Sequence, residues 1–90
     1  MTIIYKYVME SPEIVLELPL NSKILTAQMQ NDKVCVWVLR YVHEPKTEKI
    51  KIVALNTGRE TGYGFIQLNY INTCTSSNGI VWHVFQVYGG

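Results

Sequence analysis

Ninety residues make one domain, and a domain this small buries only a modest share of its surface. Charged residues are 17% of the chain, against about a quarter in an ordinary globular protein, and a net charge of +1 leaves no basic stripe for duplex DNA or RNA. No stretch approaches the ~20 apolar residues of a membrane span, and hydrophobic residues at 48% imply a full core or an apolar surface covered by self-association, which we favour.

Val, Ile and Thr fill 26 positions and Ala only two, so β-branched side chains that crowd a helix dominate. Period-two patterning recurs along the chain and predicts seven strands in one all-β domain over residues 1–90. The first runs from Thr2 to Met9, with Ile3, Tyr5, Tyr7 and Met9 on one face. Ser11-Pro12 turns the chain. The second covers Glu13–Leu18, with Ile14, Leu16 and Leu18 inward and Glu13, Val15 and Glu17 outward; Pro19 ends it, since proline cannot donate to a ladder.

The third strand, Lys23–Gln30, sets Leu25, Ala27 and Met29 against Thr26, Gln28 and Gln30. Asn31-Asp32 suits a two-residue hairpin, because both residues tolerate positive φ. The fourth, Lys33–His43, is the longest and most apolar, which predicts a central strand covered on both faces with Trp37 in the core. Glu44-Pro45-Lys46 turns into a fifth strand, Lys49–Leu55. Residues 56–64 break the pattern and hold three of the six glycines. A sixth strand, Phe65–Cys74, and a seventh, Ile80–Val87, close the chain around a polar turn at 75–79. Short turns between sequential strands imply antiparallel pairing, and a meander closing into a small sandwich or barrel is the expected architecture.

Chemistry-bearing residues are few. No nucleophile–histidine spacing matches a known motif, so an enzyme is not expected. Cys35 and Cys74 form no CxxC pair, and His43 and His83 stand at no ligand spacing from them; neither a metal nor a cofactor is expected, and the cysteines read as reduced core residues. Thr57-Gly58-Arg59 offers a hydroxyl, a pliable backbone and a guanidinium, a set that can cradle phosphate, although it also reads as an ordinary solvated loop. Tyr5 and Tyr7 flank Lys6, and Tyr63 lies in the glycine-rich stretch; such rings can stack on bases or simply pack. Gln28 and Gln30 point the same way and can read base edges, or can form a solvated sheet face.

The chain resembles a family of small phage-encoded proteins known only as a domain of unknown function. The resemblance rests, in order, on Ile4-Tyr5-Lys6-Tyr7, Glu17-Leu18-Pro19, Lys23-Ile24-Leu25, Gln28-Met29-Gln30-Asn31, Cys35-Val36-Trp37, Thr57-Gly58, Tyr70-Ile71-Asn72-Thr73 and Val81-Trp82-His83-Val84-Phe85. It spans nearly the whole chain. Two departures matter. The family usually has glycine where Asp32 stands, and histidine and proline where Arg59-Glu60 stand, so Arg59 would replace that histidine in any anion-binding role. The resemblance implies a phage protein working in the host cytoplasm during infection, in the class of homo-oligomeric sponges that sequester nucleotide immune signals.

These readings give the expected function: an anti-defence protein that holds a cyclic dinucleotide or ADP-ribose-type nucleotide at a subunit interface without cleaving it. Lys6 and Arg59 would meet phosphate charge. Thr57 and Gly58 would donate hydroxyl and backbone hydrogen bonds, Tyr5, Tyr7 and Tyr63 would stack, and Gln28, Gln30 and His83 would bond base or sugar. The alternative is a protein-interaction module that inhibits a host protein through a sheet edge or an aromatic patch. A third reading, a small hydrolase, needs His43 or His83 in a cleft beside a second titratable group.

Overall fold

All seven expected strands form, and every pairing is antiparallel. A computed structural model describes residues 1–88. The strands are β1 (Thr2–Val8), β2 (Glu13–Pro19), β3 (Lys23–Gln30), β4 (Lys33–Tyr41), β5 (Thr47–Asn56), β6 (Leu68–Thr75) and β7 (Val81–Val87). They make a sandwich rather than a closed barrel: a three-stranded sheet ordered β1-β4-β3 faces a four-stranded sheet ordered β2-β5-β7-β6. The order also departs from a meander. Only β3–β4 and β6–β7 are sequential hairpins, while β1 pairs with β4, β2 with β5 and β5 with β7. The turns at 9–12 and 20–22 hand the chain from one sheet to the other, so sequence neighbours lie in opposite sheets. Strand pairing is a long-range choice that local patterning does not encode.

The hairpin at Asn31-Asp32 forms as expected, with φ of 52° and 58°, the doubly left-handed turn whose twist matches its strands. Residues 65–67 correct the expected start of the sixth strand. Gln67 folds back so that its Oε1 accepts the Gly64 N–H at 2.9 Å and its own N–H donates to the Gly64 carbonyl at 3.1 Å. That closes a single 3-10 turn, Phe65–Gln67, on which Phe65 and Ile66 stand 99% and 94% exposed.

The core lies between the sheets. Leu18, Ala27, Val36, Val38, Ile52 and Val84 are fully buried there, and fully burying one such Val, Leu or Ile side chain contributes about 1.5–3 kcal/mol. β2 divides as its alternation predicts, with Ile14, Leu16 and Leu18 inward. β4 is central in its sheet, but its inward residues are Val34, Val36 and Val38. Trp37 therefore falls on the outer face, half-buried, opposite Lys6 of β1 and Thr26 of β3. The tryptophan that packs against the core is Trp82.

Two bulges bring the sheets together at one edge. One lies between Ile24 and Thr26, the other between Tyr70 and Asn72. The first turns Leu25 out to solvent and puts Ile24 in its place beside Ala27 and Met29. From the second, the Asn72 amide donates to the Ala27 carbonyl at 2.9 Å and to Thr26 Oγ1 at 3.1 Å, a direct tie from β6 to β3.

Candidate functional site

β5 ends at Asn56, and Leu55 pairs with His83 on the neighbouring β7, so the next residue along the chain falls beside the imidazole. Thr57 Oγ1 lies 2.6 Å from His83 Nε2. On the other side of the ring, Thr73 Oγ1 lies 3.3 Å from Nδ1, placed there by the β6–β7 register, and the Tyr70 hydroxyl is 2.6 Å from that same oxygen. A neutral imidazole has one donor and one acceptor nitrogen, and the two threonine hydroxyls can serve both. Asn56 Nδ2 donates to the Val81 carbonyl at 3.1 Å and pins the root of the loop. Gly58 takes φ +83°, a left-handed conformation that side chains resist. Arg59 is exposed and has no carboxylate partner among the described residues. It lines a groove of about 470 Å³ with Asn56, Thr57, Gly79, Ile80 and Val81. Thr57 and Arg59 thus line one groove, and Thr57 is in turn bonded to His83, which is not among the residues lining that groove.

The remaining candidates lie elsewhere. Tyr5 and Tyr7 sit on the inward side of β1, with rings 6.4 Å apart and edge to face. Arg40 of β4 joins them: its guanidinium stands 5.0 Å from the Tyr5 centroid and donates to the Tyr7 hydroxyl at 2.7 Å. Lys6 points to the opposite, outer side and donates to Gln30 Oε1 at 2.7 Å; Gln28 shares that side, level with Cys35. Tyr63 packs on Lys51, whose Nζ lies 5.3 Å from its ring centroid and 2.7 Å from Glu13 Oε1. Those contacts, Glu13 first and Tyr63 second, hold the ammonium pKa up at about 12.

A family model described as a domain of unknown function, DUF7352, matches residues 1–90. The chain belongs to the DUF7352 family. No curated protein and no solved structure matches it.

Two other clefts of this DUF7352 chain carry carboxylates. The cleft at the hairpin end of the sandwich, about 210 Å³, is walled by Met9, Met29, Val34, Ala54 and Trp82, and its rim carries Glu10 and Asp32. Lys33 lines the same cleft and pairs with Glu10 at 2.8 Å, which leaves the Asp32 carboxylate as its unneutralised charge. His43 and Glu44 share a shallow depression with Met1, Asn21 and Tyr41. Both cysteines are free and buried, and burial, with Cys35 adding to it, pushes the Cys74 thiol up, away from thiolate chemistry. Among the described residues no three His, Cys, Asp or Glu side chains gather to hold a metal, and no helix is long and apolar enough to cross a membrane.

Sequence reasoning missed Arg40, Thr73 and Tyr70. Each acts through a cross-strand register, and nothing in the local pattern of any one strand signals it.

Proposed function

We propose that the chain binds a nucleotide and holds it without cleaving it, with phosphate at the Thr57–Arg59 loop. The observation that carries this reading is the Arg59 guanidinium, without a carboxylate partner among the described residues, following a left-handed glycine and sharing a groove with Thr57, whose hydroxyl is bonded to His83. Guanidinium, hydroxyl and imidazole N–H groups all bind phosphate oxygens, and charge-assisted bonds are the strong ones. The hydrogen-bond partners of His83 are hydroxyls, so among the described residues it has no carboxylate of the kind that orients a catalytic histidine. Taken with the family resemblance, the reading extends to a phage anti-defence protein that sequesters a cyclic dinucleotide or ADP-ribose-type signal in the host cytoplasm.

A thermal-shift panel of cyclic dinucleotides, cyclic ADP-ribose and mononucleotides tests it. At least one nucleotide raises the melting temperature, Arg59→Ala removes the rise, and mass spectrometry recovers that nucleotide intact. A panel that leaves the melting temperature unmoved ends the reading.

A second reading, docking on a host protein, is favoured by one observation. Phe65 and Ile66 project as an apolar pair almost wholly in solvent, the kind of anchor that fills a partner's pocket.

A further inference from the structure

β1 is an edge strand, and the direction of its backbone groups can be read from its ends. Met9 N–H donates to the Val34 carbonyl at 2.8 Å, and Val42 N–H to the Met1 carbonyl at 3.1 Å. Both pairs continue the β1–β4 register, so Met1, Ile3, Tyr5, Tyr7 and Met9 turn their N–H and C=O groups toward β4. Thr2, Ile4, Lys6 and Val8 turn theirs outward, where no strand among the described residues meets them. An edge of this kind is normally blunted by proline, a bulge or several charges. β1 has no proline, its register with β4 is unbroken, and Lys6 is its one charged side chain.

We propose that a second copy of the chain pairs antiparallel along this edge, two-fold related about Tyr5, and that the seam completes a site for a two-fold nucleotide carrying two phosphates. The proposal goes beyond the loop site above and shares no residue with it. Pairing about Tyr5 sets Thr2 against Val8 and Ile4 against Lys6, so the outward groups meet outward groups. Tyr5 then meets its own copy at the close, non-hydrogen-bonded position. No like charges face each other, because each Lys6 lies opposite Ile4. The two three-stranded sheets become one continuous sheet.

On the inward side, Ile3 of each copy meets Tyr7 of the other, so four tyrosines line the seam. Each Arg40, paired with Ile3 in the β4 register, contributes a guanidinium without a carboxylate partner among the described residues. This side is open within one chain: Ile3 and Tyr5 stay 41% and 45% exposed although they share the face that buries Met9. Four ring faces and two cations related by a two-fold axis match the bases and phosphates of a cyclic purine dinucleotide.

Sedimentation and isothermal titration with cyclic di-AMP test the proposal. The wild-type chain sediments as a dimer, and with the loop site disabled by Arg59→Ala it binds one ligand per dimer. Ile4→Pro removes an outward N–H that the β1–β4 ladder does not use, so it sediments as a monomer with an unchanged far-UV spectrum and, in the same Arg59→Ala background, loses the ligand. Tyr5→Lys places like charges opposite each other and gives the same monomer by a different route. Arg40→Ala stays dimeric and binds about tenfold more weakly or worse. A wild-type monomer at millimolar concentration, or a dimer that survives both Ile4→Pro and Tyr5→Lys, overturns the seam. A dimer that ignores cyclic di-AMP, or binds it equally after Arg40→Ala, overturns the site. Arg59→Ala reads only the loop, so failure of one reading is separable from failure of the other.

Discussion

Ser77 donates to both carboxylate oxygens of Asp32, from its backbone N–H at 3.0 Å to Oδ1 and from its hydroxyl at 2.6 Å to Oδ2. The two residues lie 45 positions apart, on the β3–β4 and β6–β7 turns, so the contact clasps the two sheets at their hairpin end. It also accounts for a residue that the turn alone would not choose. Position 32 takes φ 58°, where glycine is the easiest fit. Asp32 accepts that backbone and gains a partner that glycine lacks.

The clasp makes stability depend on pH with a definite sign. The Ser77 hydroxyl, then the Ser77 N–H, hold the Asp32 carboxyl below its ordinary value of 3.8. A carboxylate with a depressed folded pKa contributes stability above the unfolded value and loses it as pH falls through the folded one. Melting curves of the wild type and Ser77→Ala therefore differ by a constant gap at neutral and mildly acidic pH. The gap closes as pH drops below the ordinary carboxylate range. A gap that widens in acid contradicts the account.

Asn72 ties the sheets at the opposite edge from β1. Its amide spans from one bulge to the other, donating to the Ala27 carbonyl and Thr26 Oγ1. Asn72→Leu leaves that half-enclosed carbonyl without its donor, which costs about 1–3 kcal/mol. Urea denaturation measures the loss as a lower midpoint at an unchanged slope.

The strands were legible because seven β-branched, alternating segments are separated by turn residues, and the Asn31-Asp32 hairpin was legible because its two residues tolerate the required φ. The order of the strands was not, since Ser11-Pro12 looks like a hairpin turn whether the chain stays in its sheet or crosses to the other. Trp37 shows the cost: a long apolar strand reads as buried on both sides, yet one side of β4 faces the core and the other carries Trp37, level with Lys6 and Thr26. The candidate site was legible in part. Thr57, Gly58 and Arg59 are local in sequence, but His83 joins them only through the β5–β7 register. Lys6, Gln28 and Gln30 part from Tyr5 and Tyr7 because a strand sends alternate residues to opposite faces.

Two leucines separate burial from hydrophobicity. Leu18 is fully buried at the end of β2, whereas the β3 bulge leaves Leu25 in solvent. Leu18→Ala costs about 2–5 kcal/mol, from lost transfer energy and the cavity left behind. Leu25→Ala stays within about 0.5 kcal/mol of the wild type. Equal costs in chemical denaturation would mean that the bulge is misplaced and that Leu25 points inward.

Thr57 tests whether the imidazole chain serves the loop site. Thr57→Val keeps the shape of the side chain and removes the hydroxyl that lies 2.6 Å from His83 Nε2. The position is exposed, so water replaces the lost partner and the melting temperature moves little. A ligand phosphate loses one donor, together with the orientation that the hydroxyl imposes on the ring. The expected weakening is about 1–3 kcal/mol, or roughly five- to 150-fold in Kd for whichever nucleotide the wild type binds. Imidazole NMR provides a second readout that a purely structural role for Thr57 would leave unmoved: adding nucleotide shifts the His83 ring resonances in the wild type. Full affinity in Thr57→Val, with unshifted His83 resonances in the wild-type complex, would place the phosphate away from this loop.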